Sequence, residues 1–389
     1  MVRFRDSTKF VFVLFVCMFM TVCCCGAFCV SLYNKENQNT EIVIEQNNIQ
    51  INQVEYAPNH IPNGYATQAT IQNSLNSSVS IKAEGTTGYS NGSGTIIGAD
   101  STHSYIVTCH HVIEGVKPDK IAITFNDGTT QYATFVGSDV KTDVAVLKIV
   151  GTNHTISETI LNNNQIFAGE NVYIIGNSLG LYGFSVTTGC ISQKQERQVT
   201  VADFGTFDVL QTDSAVNNGV SGGGMFDTNG TLVGMISCGY DNAVAQNVNF
   251  VLPIYKVMET VKSLLENTDS TTGYGYVPGR YNIDLMIATW GDEPSYALVT
   301  SVPTNSSFYG TDKATSLFEF DLLKTVQIGD EMIQTIQSAP ALVDIFAAAK
   351  QNDQISVGTQ VKFIACENSG INNLEREVVI TIKQFVYAL

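Results

Sequence analysis

Asn218-Gly219-Val220-Ser221-Gly222-Gly223-Gly224 sets one hydroxyl among four glycines, and the reading of the whole chain turns on this stretch. Glycine on both sides of Ser221 lets the backbone turn sharply and aim neighbouring N–H groups at one point. Serine is a weak nucleophile until a base takes its proton, and that base must be oriented by a third group. Upstream lies Lys141-Thr142-Asp143-Val144-Ala145-Val146-Leu147, with Asp143 placed 78 residues before Ser221. A further 32 residues back, His111 lies in Thr108-Cys109-His110-His111-Val112-Ile113, after a strongly apolar strand. Each segment alone has an ordinary explanation: a core histidine, a turn carboxylate, a surface glycine loop. Together, in the order His, Asp, Ser, they form one of the few arrangements in which folds assemble a carboxylate–imidazole–hydroxyl relay. The candidate catalytic residues are therefore His111, Asp143 and Ser221. The N–H groups of Gly219 and Ser221 are the candidate oxyanion donors, worth roughly 3 to 4 kcal/mol each in comparable sites.

Outward from these segments the chain is a succession of short apolar runs broken by Gly, Asn and Asp. Examples are Tyr105-Ile-Val-Thr, Ile121-Ala-Ile-Thr-Phe, Val144-Ala-Val-Leu-Lys-Ile, Val172-Tyr-Ile-Ile and Leu232-Val-Gly-Met-Ile. Short strands at this spacing predict a barrel or sandwich over residues 78–266. Ile254, Val257, Met258, Val261 and Leu265 recur at helical spacing and predict a closing helix. Residues 267–275 (NTDSTTGYG) are a linker. Residues 276–389 carry further strands and one helix from about Ala339 to Lys350, which predicts a smaller mixed domain.

The 389 residues carry a formal net charge of −16, with no Lys/Arg cluster, which argues against a nucleic-acid partner. Arg3, Arg5 and Lys9 precede an uncharged, mostly apolar run over 10–34, with Glu36 and Glu41 soon after. About 20 apolar residues span a bilayer, and basic residues stay inside. Residues 1–33 are therefore expected to be a cytoplasmic tail and signal anchor, making a single-pass cell-membrane protein with its domains outside the cytoplasm. Cys25-Gly26-Ala27 offers the rival, a cleaved signal peptide, but the apolar run continues through Val30 and Leu32. Residues 34–77, rich in Asn and Gln with isolated Ile and Val, are expected to be a polar stalk with some strand character. Cys109-His110-His111 raises metal ligation. Adjacent residues on a strand point to opposite faces, and no further His or Cys cluster completes a site, so no metal and no cofactor are expected.

The chain resembles the HtrA (Deg) family of serine proteases. The resemblance runs from Ser93-Gly-Thr-Ile-Ile through Thr108-Cys-His-His-Val and Val136-Gly-Ser-Asp-Val-Lys-Thr-Asp-Val-Ala-Val-Leu-Lys-Ile. It continues with Gly169-Glu-Asn-Val-Tyr-Ile-Ile-Gly-Asn, Gln211-Thr-Asp-Ser-Ala-Val-Asn-Asn-Gly-Val-Ser-Gly-Gly-Gly and Asn249-Phe-Val-Leu-Pro-Ile. It implies a mainly β chain: a trypsin-like pair of six-stranded barrels followed by a smaller α+β PDZ-like domain. It implies the triad His111, Asp143 and Ser221, a pocket flanked by Ala215, Val216, Ser237 and Cys238, and homotrimers. Two departures stand in the serine loop, Val220 for the usual Asn and Gly224 for the usual Pro, and the extra glycine is expected to loosen the loop. In the second domain, Ala297-Leu-Val-Thr-Ser-Val-Pro and Val326-Gln-Ile-Gly-Asp-Glu-Met-Ile resemble a PDZ domain, which binds a peptide by strand addition. Asp284 lies where that family favours glycine, and its charge opposes capture of a peptide carboxylate. The resemblance implies an endopeptidase for misfolded or regulatory polypeptides, cutting after small or medium apolar residues. Its rival is a catalytically idle scaffold that keeps the protease fold.

Overall fold

A computed structural model describes residues 38–44, 49–55, 64–85, 88–160, 166–180, 183–201, 205–239, 247–280, 285–290, 296–304, 306–319, 321–367, 375–385 and 387. Contacts divide the chain into one unit ending at Glu266 and a second running from Asn267 to Ala388. The apolar run near the N-terminus and Asp284 lie outside the described residues. Among the described residues no helix is long and apolar enough to cross a membrane.

The first unit contains two closed barrels. Strands β3 (Ser78–Gly85), β4 (Tyr89–Ala99), β5 (His103–Cys109), β6 (Val116–Thr124), β7 (Thr130–Asp139) and β8 (Val144–Val150) follow the order β4-β3-β6-β7-β8-β5. The ring closes where β5 returns to β4. Val79, Ile81 and Ala83 of β3 are fully buried at a period of two, so one face of the strand forms the barrel interior. The second ring uses β10 (Asn171–Gly176), β11 (Ser185–Val201), β12 (Gly205–Thr212), β13 (Gly224–Asp227), β14 (Leu232–Gly239) and β15 (Asn249–Pro253). Its order is β13-β10-β11-β12-β15-β14, closed by β13 on β14.

The described parts of the segment expected to be a polar stalk, residues 38–44, 49–55 and 64–77, include two strands and a helix of this unit. β1 (Gln38–Ile44) and β2 (Ile49–Glu55) form a hairpin, and α1 (Gln68–Ser77) precedes β3. β2 pairs with β4 through Gln50↔Ala99, and runs parallel to β9 (Thr159–Ile160), which in turn meets β14 at Leu232. The isolated Ile and Val residues supply a buried face, with Ile49, Ile51 and Val54 almost wholly covered.

The predicted closing helix is α2 (Ile254–Glu266); its buried side chains Ile254, Val257, Met258, Val261, Leu264 and Leu265 form one stripe. It packs on β7 and β8 of one ring and on β14 and β15 of the other. Thr260 on this helix donates to Thr142 Oγ1 at 3.3 Å, one residue before Asp143.

In the second unit, β16 (Met286–Trp290), β17 (Tyr296–Ser301), β18 (Asp321–Ile328), β20 (Gln360–Glu367) and β21 (Glu375–Thr381) form one sheet in that order. β19 (Gln334–Thr335) pairs with β18. Helix α3 (Ala339–Gln351) is capped by Ser338, whose hydroxyl accepts from Ala341 N at 3.2 Å. Leu323, Val326, Phe308, Phe363 and Val378 fill a separate core beneath it. The chain is therefore mainly β, a double six-stranded barrel followed by a smaller α+β unit.

Candidate active site

β5 ends at Cys109, and residues His110–Ile113 make a single helical turn. The turn is held from the Asp143 side. Asp143 accepts from His110 N through its backbone carbonyl at 3.1 Å, and from His111 N through Oδ1 at 3.0 Å. The imidazole then meets the same carboxylate, with Nδ1 at 3.0 Å from Oδ1 and 2.9 Å from Oδ2. Nδ1 facing an ionised carboxylate carries the ring proton, which leaves the Nε2 lone pair outward. His111 keeps a 24% exposed side chain, whereas that of Asp143 is 2% exposed.

Asp143 itself sits at φ 54°, a left-handed conformation that Asp tolerates better than most residues. Such a conformation costs of order 1 kcal/mol and persists only where neighbours impose it. Here the His110 and His111 amides impose it. Ser237 Oγ adds a third donor to the carboxylate, reaching Oδ2 at 2.7 Å. Burial works to raise the Asp143 pKa. Hydrogen bonds from His111 and Ser237, and the electrostatic pull of the His111 ring, outweigh burial and hold it below the ordinary carboxylate range. The base is thus gripped by a group that stays ionised.

Ser93 of β4 fastens the serine loop to the first barrel. Its N–H donates to Ser221 O at 2.8 Å, its hydroxyl to Gly219 O at 2.8 Å, and its carbonyl accepts from Thr108 Oγ1 at 2.7 Å. Gly222 lies at φ +82°, and a Cβ there would fall 2.3 Å from both Ser93 O and Thr108 Oγ1. Only glycine fits that turn. Within the loop, Val220 N, Gly222 N and Gly223 N donate to the carbonyls of Asn217, Ile236 and Val220. Among the described residues, the N–H groups of Gly219 and Ser221 have no such acceptor. Gly224 does not loosen this loop. It is the first residue of β13, buried and paired with both Ile175 and Met235, so the ladders hold it on two sides.

Ser221 Oγ donates to Ser237 O at 3.3 Å, a long bond. Among the expected pocket residues, Ala215 is exposed and its carbonyl accepts from Thr187 Oγ1 at 2.9 Å, while Val216 is half-buried. Ser237 is buried, with its hydroxyl turned to Asp143 rather than to open space. The Cys238 side chain and residues 240–246 lie outside the described residues. No further His or Cys was expected to complete a site around Cys109-His110-His111; among the described residues the third donor is a carboxylate, that of Asp143. Ligand atoms of Cys109, His111 and Asp143 all lie within 4.8 Å of one another. Cys109 ends the strand, His111 lies in the helical turn that follows, and the third donor comes from 32 residues further along the chain.

Residues 92–235 match the Trypsin-like peptidase domain family. Serine protease Do-like HtrB of Bacillus subtilis (strain 168) is 37% identical over 178 residues, covering 45% of this chain and 38% of that protein. A probable periplasmic serine endoprotease DegP-like of Chlamydia trachomatis is 35% identical over 186 residues, covering 47% of this chain and 35% of its own length. The HtrA-type protease AlgW with tripeptide is a solved structure similar to the chain, at TM-score 0.48 and 23% identity, over 82% of this chain and 97% of that one. The matched residues lie within the double barrel. Its curated homologues are serine proteases of the HtrA/DegP kind, and the chain spans about two fifths of the length of those it matches.

Proposed function

We propose that the chain is a serine endopeptidase, anchored in the membrane and acting outside the cytoplasm. One observation carries the reading: an ionised, triply hydrogen-bonded Asp143 orients His111 in the same unit as a serine loop with two uncommitted amides. His111 Nε2 takes the Ser221 proton as Oγ attacks the peptide carbonyl. Before that, Oγ gives up its bond to Ser237 O, which at 3.3 Å is a small loss. The Gly219 and Ser221 amides stabilise the developing oxyanion. His111 then passes the proton to the leaving amine, and water, activated by the same base, hydrolyses the ester on Ser221.

The finer parts of the proposal rest on sequence. The apolar run over 10–34 and the basic residues before it support an anchor with the barrels outside, and relatives named periplasmic support the location. The unit from Asn267 supports a PDZ-like domain that binds an extended peptide. A homotrimer follows from the family resemblance alone. Ala215 and Val216 offer no carboxylate to a basic side chain, so the pocket favours Val, Ala, Ile, Leu or Thr before the cut. The substrates would be unfolded or regulatory polypeptides. The test is digestion of an unfolded protein by the full chain in detergent and by its Ser221→Ala variant, with cut sites read by mass spectrometry. Cleavage that depends on Ser221 is expected; cleavage by Ser221→Ala at a comparable rate refutes the proposal.

A further inference from the structure

We propose that Cys109, His111 and Asp143 form an inhibitory site for a thiophilic divalent cation such as Zn2+, lying behind the imidazole. The proposal rests on His111 being the base of the preceding reading. The three side chains supply a thiol, an imidazole and a carboxylate, the donor set Zn2+ accepts, with their ligand atoms within 4.8 Å of one another. Two of the three are already compact, since Nδ1 lies 2.9 Å from Oδ2. Bonds of about 2.0 to 2.3 Å put tetrahedral ligand atoms about 3 to 4 Å apart, so the thiol has to move by about 1 Å. One of its partners is Ile236 O at 3.2 Å, a weak S–H bond. Cys109 and Asp143 are buried, and the partly exposed His111 ring is the side from which an ion reaches them.

The proton balance explains the inhibition. The Cys109 thiol loses its proton to solvent and binds as thiolate. The Nδ1 proton of His111 moves to Nε2, and the freed Nδ1 lone pair binds the ion. Nε2 then bears hydrogen where the base needs a lone pair, and Asp143 bonds metal instead of steering the ring. One proton leaves per ion, so inhibition should strengthen by about tenfold per pH unit while the thiol is protonated. Mg2+ and Ca2+, which want six or more oxygens, should not compete.

The test uses the full chain in detergent, freed of metal with a chelator. Zn2+ should inhibit cleavage reversibly, Mg2+ should not, and Cys109→Ser should weaken the Zn2+ effect by at least about tenfold. If Cys109→Ser fails to fold, Cys109→Ala serves in its place. A second readout needs no turnover: Co2+ added to Ser221→Ala should give a thiolate-to-metal absorption band that is lost when Cys109→Ser is added. The difference between these two proteins cancels the remaining cysteines. Equal Zn2+ inhibition with and without Cys109, or no Cys109-dependent band, overturns the site. A Cys109-dependent band in a protein that cleaves nothing would leave the metal site standing and overturn the peptidase reading instead.

Discussion

Glu170, just before β10, should make the protein less stable as the solution becomes more alkaline. It is 2% exposed, its Oε2 accepts from Phe167 N at 3.2 Å, and among the described residues its Oε1 has no hydrogen-bond partner. Burial pushes its pKa up to about 7; the Phe167 amide opposes this and the charge of buried Asp227 adds to it. The folded protein therefore holds a proton that the unfolded chain releases near 4.5. Stability is highest below about 4.5, declines as pH rises to about 7, and is flat beyond. Two to three pKa units correspond to about 3 kcal/mol at pH 8. Glu170→Gln removes the titration and keeps an acceptor for Phe167, but leaves an unpaired amide that costs about 1 kcal/mol. The variant should be about 2 kcal/mol more stable than the parent at pH 8 and about 1 kcal/mol less stable at pH 4.5. Urea unfolding of both proteins at the two pH values measures this, and other titrating groups cancel in the difference. A Glu170→Gln effect that is the same at both pH values would refute the reasoning.

Ser237→Ala removes one charge-assisted donor from Asp143 and should lower kcat about tenfold with KM nearly unchanged, as steady-state kinetics would show. Gly222→Ala forces a side chain against Ser93 and Thr108 in a left-handed turn, and should cost more than about 2 kcal/mol by urea unfolding, with activity lost. His110 is buried beside Ser138, and burial holds its pKa below 6.5 against the charges of Glu114 and Asp143. The unfolded chain takes up that proton first, so stability falls as pH drops below about 6.5, and His110→Asn should flatten this acid limb in unfolding measurements. Cleavage of a random peptide library should favour small and medium apolar residues before the cut; a majority after Lys or Arg would sink the pocket assignment.

What the sequence displayed were features carried by local periodicity or by single-residue chemistry. Ile254 to Leu265 recur at helical spacing and produce the helix they announce, and the apolar run at Val144 produces a strand. The order of His111 and Asp143 pointed to a pairing that the structure makes at hydrogen-bond distance. The supports of the site were hidden because nothing local marks them. Ser93 is one of several small polar residues in Ser-Asn-Gly-Ser-Gly, and its bond to Gly219 spans 126 residues. Ser237 looked like a pocket wall, yet its hydroxyl serves a carboxylate 94 residues away. The Cys109 cluster was missed because its third donor is a carboxylate 32 residues beyond His111, not a further His or Cys. β2 was legible only as stray Ile and Val in an Asn- and Gln-rich stretch, since the strands that complete it lie far off in the chain.

β2 also behaves as a tendon. It joins one ring through a single residue pair at Gln50, and reaches the other by way of β9, with two pairs between β2 and β9 and one between β9 and β14. Tension applied upstream of Gln38 reaches that junction through the seven residue pairs of the β1–β2 hairpin. A soluble fragment cut at Ser78, where the motifs begin, would sever that link and leave the two rings joined by α2 and by the hydrogen bonds of Ser93, Cys109 and Ser237. A fragment beginning before Gln38 keeps the junction intact, and comparing the two would reveal how much of the rings' mutual alignment is under tensile control from the N-terminal side.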